Sequence, residues 1–483
     1  MDEVCILNVE GGARVAVPNF RDSLSAYIVL EQEDWFEDEI RFVRRWLRPG
    51  MQAIDVGASY GVYTVAMTRA VGGAGRVWAF EPTPQVADYL QRSLNLDDSG
   101  HCTVLRSAVS DHTGTVALAS GAEPELNAVS AAGKGYQVPA VTLDQMSTEH
   151  GWQDADFLKL DVEGHEYEAI RGSAGFLASA SPLVMLEIKA GNRFELRALD
   201  LLQEMGYDAY RLLPGPLTLV PFDRHDFVED FLLNLFACKR ERARALAEEG
   251  FLASLDTPGS AKPDKAVWPD YAASAPYARA FAGGWRQRAG LFASPDVGTY
   301  YEGLAAFAQS RRPGMAPAEG PAWLQRALQC IADAIEVNGT LARRLSYARV
   351  AADLGWRDAA SECLARAIER LAGGEAKAVR EPFLAPSERY ERLDARANAA
   401  GWLTCAAIEQ YEKLRYYSSL YAKQTSLEVL EPVGELPYRS AEVDRRRRLV
   451  RLRHRMPAPV SPLTLLSTAS EENLNPLYWS ARG

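Results

Sequence analysis

The segment Ile54-Asp55-Val56-Gly57-Ala58-Ser59-Tyr60-Gly61, residues 54–61, carries the most informative local pattern in the chain. It ends a short apolar run, MQAIDVG, with an acid and a glycine, and the adjoining segment, VYTVAMTRAV, reads as a helix. A second apolar run, RVWAFEP, comes next. Strand, helix, strand is the pattern of a parallel sheet. An acid at the strand end, then glycines four apart entering a helix, lets backbone approach a ligand closely and presents helix N-terminal N–H groups to it.

Upstream, FEDEIRFVRRWL (36–47) spaces Phe36, Ile40, Val43, Trp46 and Leu47 at helical intervals, and Pro49-Gly50 stops that helix. Downstream come VADYLQRSLNL as helix, CTVLRSAV and DFLKLDV as strands, HEYEAIRGSAGFL as helix, PLVMLEI as strand and FELRALDLLQEMGY as helix. YDAYRLL and NLFACKR then look like a closing antiparallel hairpin. Seven strands with interleaved helices therefore occupy roughly residues 50–240, an α/β domain with a Rossmann-like sheet.

The chain has 483 residues, against about 100–200 for a usual domain, which leaves room for two or three. From Glu241 the composition shifts to a charged helix and then to prolines and many alanines, read as a connector with short helices over 241–320. Residues 321–456 read as an all-α domain of helical hairpins. Tyr347-Ala348, Gly355, Ala360, Leu364 and Ala367 resemble a tetratricopeptide repeat, and Gly401-Trp402 repeats Gly355-Trp356 at a distance of 46 residues. Residues 1–48 form an N-terminal extension with the leading helix, 49–240 the α/β domain, and 457–483 a tail.

A hydrophobic content of 47% supports a full core without disulfides. The six cysteines are scattered singly, without zinc-site spacing. Lys plus Arg is 53 and Asp plus Glu 64, a net charge of −11 that argues against a nucleic-acid partner. With neither a leader-like N-terminus nor a long apolar run, the expected address is the cytoplasm.

Glu81 ends the second strand, 24 residues after Gly57, where an acid accepts hydrogen bonds from both ribose hydroxyls of a nucleoside. The loop is D-x-G-x-x-x-G rather than the dinucleotide G-x-G-x-x-G. Its Asp55 would repel a pyrophosphate and welcome a methionine ammonium, which favours S-adenosylmethionine over NAD.

With IDVGASYGVYT (54–64), AFEPTP (79–84), SAVSDHTGTVAL (107–118), VTLDQ (141–145), FLKLDVEGHEYEAIRG (157–172) and VMLEI (184–188), the chain resembles the FkbM family of S-adenosylmethionine-dependent methyltransferases over about residues 30–240. The resemblance implies the class I methyltransferase fold, with a reversed final strand, and O-methylation of a hydroxyl on a sugar, glycan or related product. It also implies that Asp55, Gly57, Ala58, Ser59, Tyr60 and Gly61 hold the methionine end of the cofactor, Glu81 the ribose, and that Ser107 and Ala108 flank the adenine. Ser59 departs from the asparagine common in the family.

Asp161-Val162-Glu163-Gly164-His165-Glu166 stands at the carboxyl end of a buried strand, where open α/β sheets bind ligands. A hydroxyl attacking the sulfonium methyl must be oriented and must lose a proton. Asp161 is expected to face the cofactor pocket, with Glu163 or His165 as base or acceptor-binding group. Glu187, ending the LEI strand, is a second hydroxyl-binding candidate. No metal is expected.

Asn475-Pro476-Leu477-Tyr478 looks like the N-P-P-Y motif of amino-group methyltransferases, but its place in the tail marks it as coincidence. The basic run Arg445–Arg448, Arg451, Arg453, His454 and Arg455 reads first as a helix face neutralised by nearby acids. The expected protein is an O-methyltransferase acting on a hydroxyl-bearing acceptor such as a glycan. Its helical domain would dock a protein partner or help form a homodimer. Methylation of a protein side chain, or a scaffold with a weakly active domain, are the alternatives.

Overall fold

The computed structural model describes residues 4–19, 23–97, 99–119, 127, 129–130, 135–190, 193–225, 229–255, 262–283, 285, 295–316, 318–422 and 425–457. Asn475–Tyr478 and all but the first residue of the 457–483 tail lie outside them. Among the described residues the chain divides into two compact units, one of residues up to 212 with 221–249, the other of 213–220 with 250–457.

In the first unit the strands are β1 (Val4–Val9), β2 (Ala13–Pro18), β3 (Gln52–Val56), β4 (Arg76–Phe80), β5 (Cys102–Leu105), β6 (Ala108–Val109), β7 (Gly114–Leu118), β8 (Tyr136–Val141), β9 (Phe157–Leu160) and β10 (Leu183–Glu187). β11 (Tyr207–Leu213) and β13 (Asn234–Lys239) come after them, with β12 (Thr218–Pro221) between, whose residues 218–220 group with the second unit. The main sheet has the order β12-β11-β13-β10-β9-β3-β4-β5. β5, β4, β3, β9 and β10 are mutually parallel, while β13 inserts antiparallel between β10 and β11. All seven expected strands are present, with the reversed strand of the class I methyltransferase fold, and β12 adds an edge. CTVLRSAV is not one strand: the chain leaves the sheet after Leu105, and Ala108–Val109 joins β8 and β7 in a separate three-stranded sheet.

Alternation along the central strands sorts side chains by face. Ile54, Val56, Leu158, Leu160, Val184 and Leu186 enter one apolar core with Ile170, Phe176 and Leu202. The opposite face carries Asp55, Lys159 and Glu187. The leading helix, α1 being Leu24–Gln32 and this one α2 (Glu39–Trp46), covers that face. Its Phe42 meets Phe236 edge-on at 5.0 Å and its Trp46 meets Phe157 at 6.0 Å. Next comes α3 (Val62–Val71).

In the second unit, the segment read as a connector is revised. Residues 240–248 form a helix grouped with the first unit, whereas residues from 250 onward are part of the second and supply its core. Trp268, Tyr277, Tyr300 and Phe307 are buried in one cluster with Leu345, Leu364 and Trp402. Its helix Pro295–Ser310 buries Leu304, Ala305, Ala306 and Phe307, so small residues do much of the packing and the apolar period was hidden. The repeat-like segment is a helical hairpin, Leu341–Asp353 and Arg357–Ala372, turned at Gly355 with φ +87°. Trp402 stacks on Tyr277 at 5.2 Å.

The basic run is neutralised as expected. Arg447 and Arg451 share Glu431 at 2.8 Å each, Arg446 pairs with Glu442, and Arg453 donates to the carbonyls of Ser419, Leu420 and Ala422. Among the described residues no helix is long and apolar enough to cross a membrane.

Candidate functional site

The loop between β3 and α3 is pinned to β4. The N–H groups of Gly57 and Ala58 donate to the Phe80 carbonyl at 3.1 and 2.9 Å. Gly57, Ser59 and Gly61 have φ of +82°, +48° and +92°. A Cβ at Gly57 would run into the backbone carbonyl of Asp161, so this glycine serves the approach of two strand ends as well as any ligand. Gly61 caps α3, and no side chain caps that helix start. Its first N–H groups are donors of the kind that bind a carboxylate. Tyr60 and Ala58 are buried, and the Tyr60 ring packs edge-on against Tyr89 at 5.6 Å, so at these positions only the backbone faces the loop's interior. Ser107 and Ala108 are buried where the chain leaves β5.

Glu81 is 6% exposed. Its carboxylate accepts the Ser59 N–H at 3.0 Å and the Thr83 N–H at 2.7 Å, tying the cofactor loop to the end of β4. Burial pushes its pKa up to about 7 against the pull of those two donors. An acid whose folded pKa lies above its unfolded value of 4.5 takes stability away as pH rises from that value through about 7. Glu81→Gln removes this penalty. Relative to the parent, the variant is expected to gain up to about 3 kcal/mol between pH 5 and 8, read as a widening gap in melting temperature, while losing affinity for a ribose. A gap that stays constant across that range would contradict the assignment.

The buried polar face beside this loop is the structure's main addition. Asp55 is fully buried: Thr64 Oγ1 donates to Oδ2 at 2.6 Å, and Lys159 Nζ lies 3.7 Å from Oδ1. The expectation that Asp55 receives an ammonium is therefore revised. Its carboxylate has no outlet, Lys159 already opposes its charge, and it supports the loop from beneath. Burial raises its pKa, and Lys159 and Thr64 pull it back.

Lys159 is the register partner of Asp55 across β3 and β9. Its ammonium sits 2.9 Å from Asp161 Oδ2 and 5.1 Å from the centre of the Tyr63 ring. Burial opposes its charge, but Asp161 and Asp55 outweigh burial and hold the proton on. Tyr63 Oη donates to Glu37 Oε2 at 2.6 Å. Burial and the nearby Asp161 raise the Glu37 pKa. Asp161 reaches out of this cluster, its side chain 32% exposed against 4% for Lys159.

Of the expected catalytic trio, Asp161 lies in the cluster and Glu163 at its rim, while His165 faces elsewhere. The strand ends at Leu160, and the chain turns through Glu163 (φ +54°) and Gly164 (φ +93°), held by Glu166 Oε1, which accepts the Val162 and Gly164 N–H groups at 2.9 and 3.2 Å. Glu163 is exposed on this turn. His165 lies beyond it, with Nε2 3.0 Å from Ser110 Oγ and Nδ1 3.5 Å from Glu168. Burial lowers its pKa, and its charged neighbours are Glu168, Asp111 and His112, a different set from those of Asp161. Ser110 is fully buried, so this serine, histidine and acid in line present no accessible nucleophile.

Glu37, Tyr63 and Lys159 were absent from the residues expected at the site. A signal existed for Lys159: a lysine amid FLKLDV, two residues before Asp161, shares its face by strand alternation. Glu37 carried none, since its approach is tertiary.

Residues 55–209 match the methyltransferase FkbM domain, the family that the six motifs resemble. No curated protein matches the chain. Among solved structures, the FkbM methyltransferase of Methylobacillus flagellatus KT is 18% identical with a TM-score of 0.28, over 39% of this chain and 43% of that one. The chain thus spans less than half of that relative. An S-adenosylmethionine-dependent O-methyltransferase of Thermotoga maritima is 16% identical, TM-score 0.27, over 49% of this chain and 93% of that one. Aeropyrum pernix fibrillarin with natively bound S-adenosyl-L-methionine is 13% identical, TM-score 0.24, over 49% and 100%.

Proposed function

We propose that residues 49–240 bind S-adenosylmethionine and methylate a hydroxyl of a sugar, glycan or related natural product. The observation that carries this reading is the partly exposed Asp161 carboxylate, held by a buried ammonium at the end of β9, on a residue whose backbone carbonyl packs against Gly57 of the cofactor loop. The site fits the cofactor: the uncapped start of α3 offers N–H donors to a carboxylate, and Glu81 offers carboxylate oxygens to ribose hydroxyls. Ser107 and Ala108 would border the adenine. When bound, the cofactor supplies an electrophilic methyl group on a positively charged sulfur.

The chain's part is orientation and proton handling. Asp161 aligns the acceptor hydroxyl and draws its proton. Lys159 fixes that carboxylate from below, and exposed Glu163 is placed to hold a second acceptor group. The helical unit would recruit a partner protein or present the acceptor.

Calorimetric titration of the whole chain with S-adenosylmethionine, S-adenosylhomocysteine and NAD tests the cofactor, and labelled-methyl transfer to a panel of methyl glycosides tests the acceptor. Binding of the first two but not NAD, with transfer to a glycoside, is the expected result. Absence of binding by either thioether or sulfonium would remove the enzymatic reading and favour the scaffold.

A further inference from the structure

The acids at the strand ends indicate when the reaction's proton leaves. Leu183–Leu186 runs in parallel register with Phe157–Leu160, so the next residues, Glu187 and Asp161, stand side by side on one face. Two acids one strand spacing apart on the same face raise the cost of ionising both. A proton on one of them lifts that cost and lets it donate to the other, because an ionised carboxylate is only an acceptor.

The surroundings enforce a shared proton. Glu163 and Glu166, from the turn after β9, add negative charge at Glu187, and Asn234, its antiparallel partner on β13, is neutral. Around Asp161 stand Lys159, Asp55 and Glu37, with the Tyr63 hydroxyl on Glu37. One ammonium therefore faces Glu37, Asp55 and Asp161, with Glu187 beside Asp161, and like charges this crowded resist ionising together.

Resting on the cofactor reading above, we infer that the Asp161–Glu187 pair carries one proton in the free protein, that arrival of the sulfonium expels it, and that the pair then takes the acceptor hydroxyl's proton. Burial, and then the charge of Asp161, push Glu187 well above the ordinary carboxylate range. In the transfer, an acceptor-oxygen lone pair forms the bond to the methyl carbon. The carbon–sulfur bond breaks with its electron pair kept by sulfur, now an uncharged thioether, and the hydroxyl proton passes to the pair. Sulfonium plus alcohol gives thioether, ether and one proton, and that proton departs at cofactor binding rather than after transfer. The uncharged product no longer opposes protonation, so the pair leaves the cycle as it entered.

Calorimetry in two buffers of equal, near-neutral pH and different ionisation enthalpy counts protons released on binding. About one proton per S-adenosylmethionine is expected, and close to none for S-adenosylhomocysteine, which differs in the charged methylsulfonium alone. Glu187→Gln and Asp161→Asn should each bind S-adenosylmethionine without release, and Glu37→Gln should retain it. Equal proton counts for the two ligands would overturn the inference without touching the cofactor assignment. Release that persists in Glu187→Gln but vanishes in Glu37→Gln would overturn the pair. Failure of the unaltered protein to bind either ligand would overturn both readings.

Discussion

Gly57→Ala is expected to destabilise the α/β unit by more than about 3 kcal/mol, although it adds a single methyl group. Two effects add at this position. The backbone has φ +82°, where an L side chain is strained, and the new Cβ would fall inside the contact distance of the Asp161 carbonyl oxygen. The obstacle is backbone, and it cannot swing aside: the Asp161 N–H is bonded to the Val56 carbonyl at 3.1 Å, so moving Asp161 breaks the end of the β3–β9 ladder. Gly50→Ala is the matched control, with φ +95° and nothing within 4 Å of its Cβ. It should cost only about 1 kcal/mol from backbone strain. Urea midpoints measured for both variants separate strain from collision. Equal losses would show that the strand ends can part, and that Gly57 is required by conformation alone.

That contrast shows what the sequence could and could not convey. The order of strands and helices was readable because each element repeats its own period: short apolar runs for the buried parallel strands, and Ile40, Val43 and Trp46 for α2. The chemistry of Asp55 was not readable, because an acid at a strand end reads the same whether it faces a ligand or, as here, Thr64 and a buried lysine. His165 misled for a related reason. It follows Asp161 by only four positions, but Gly164 and the left-handed Glu163 turn the chain between them, and the ring ends beside Ser110. Glu37 approaches through Tyr63, from a segment ahead of the matched domain, and only packing could reveal it. In the helical unit the difficulty was compositional. In Pro295–Ser310 the buried Ala305, Ala306 and Ala308 give only a weak apolar signal, so a core helix read as connector.

Lys159→Met should have the second large effect, and one that depends on pH. Methionine matches the lysine stem in volume and is the better guest in a strand, so a purely packing role predicts little change. The structure predicts otherwise, because removing the ammonium strands the fully buried Asp55 and deprives Asp161 of its 2.9 Å partner. Breaking a buried pair in this way costs about 3–5 kcal/mol. Asp55 is already raised by burial, with Lys159 the largest force pulling it back. Without Lys159 its folded pKa climbs further above the unfolded value, so the variant's deficit grows as pH rises and shrinks as acid neutralises the carboxyl. Asp55→Asn in the same background should recover part of the loss, and the double-mutant cycle should show coupling well beyond about 0.5 kcal/mol. A deficit that is small and flat with pH would reduce Lys159 to filler. A steep one would show that the fold maintains a buried charge, where a methyl thioether would pack as well, in order to hold one carboxylate at the mouth of the cofactor site.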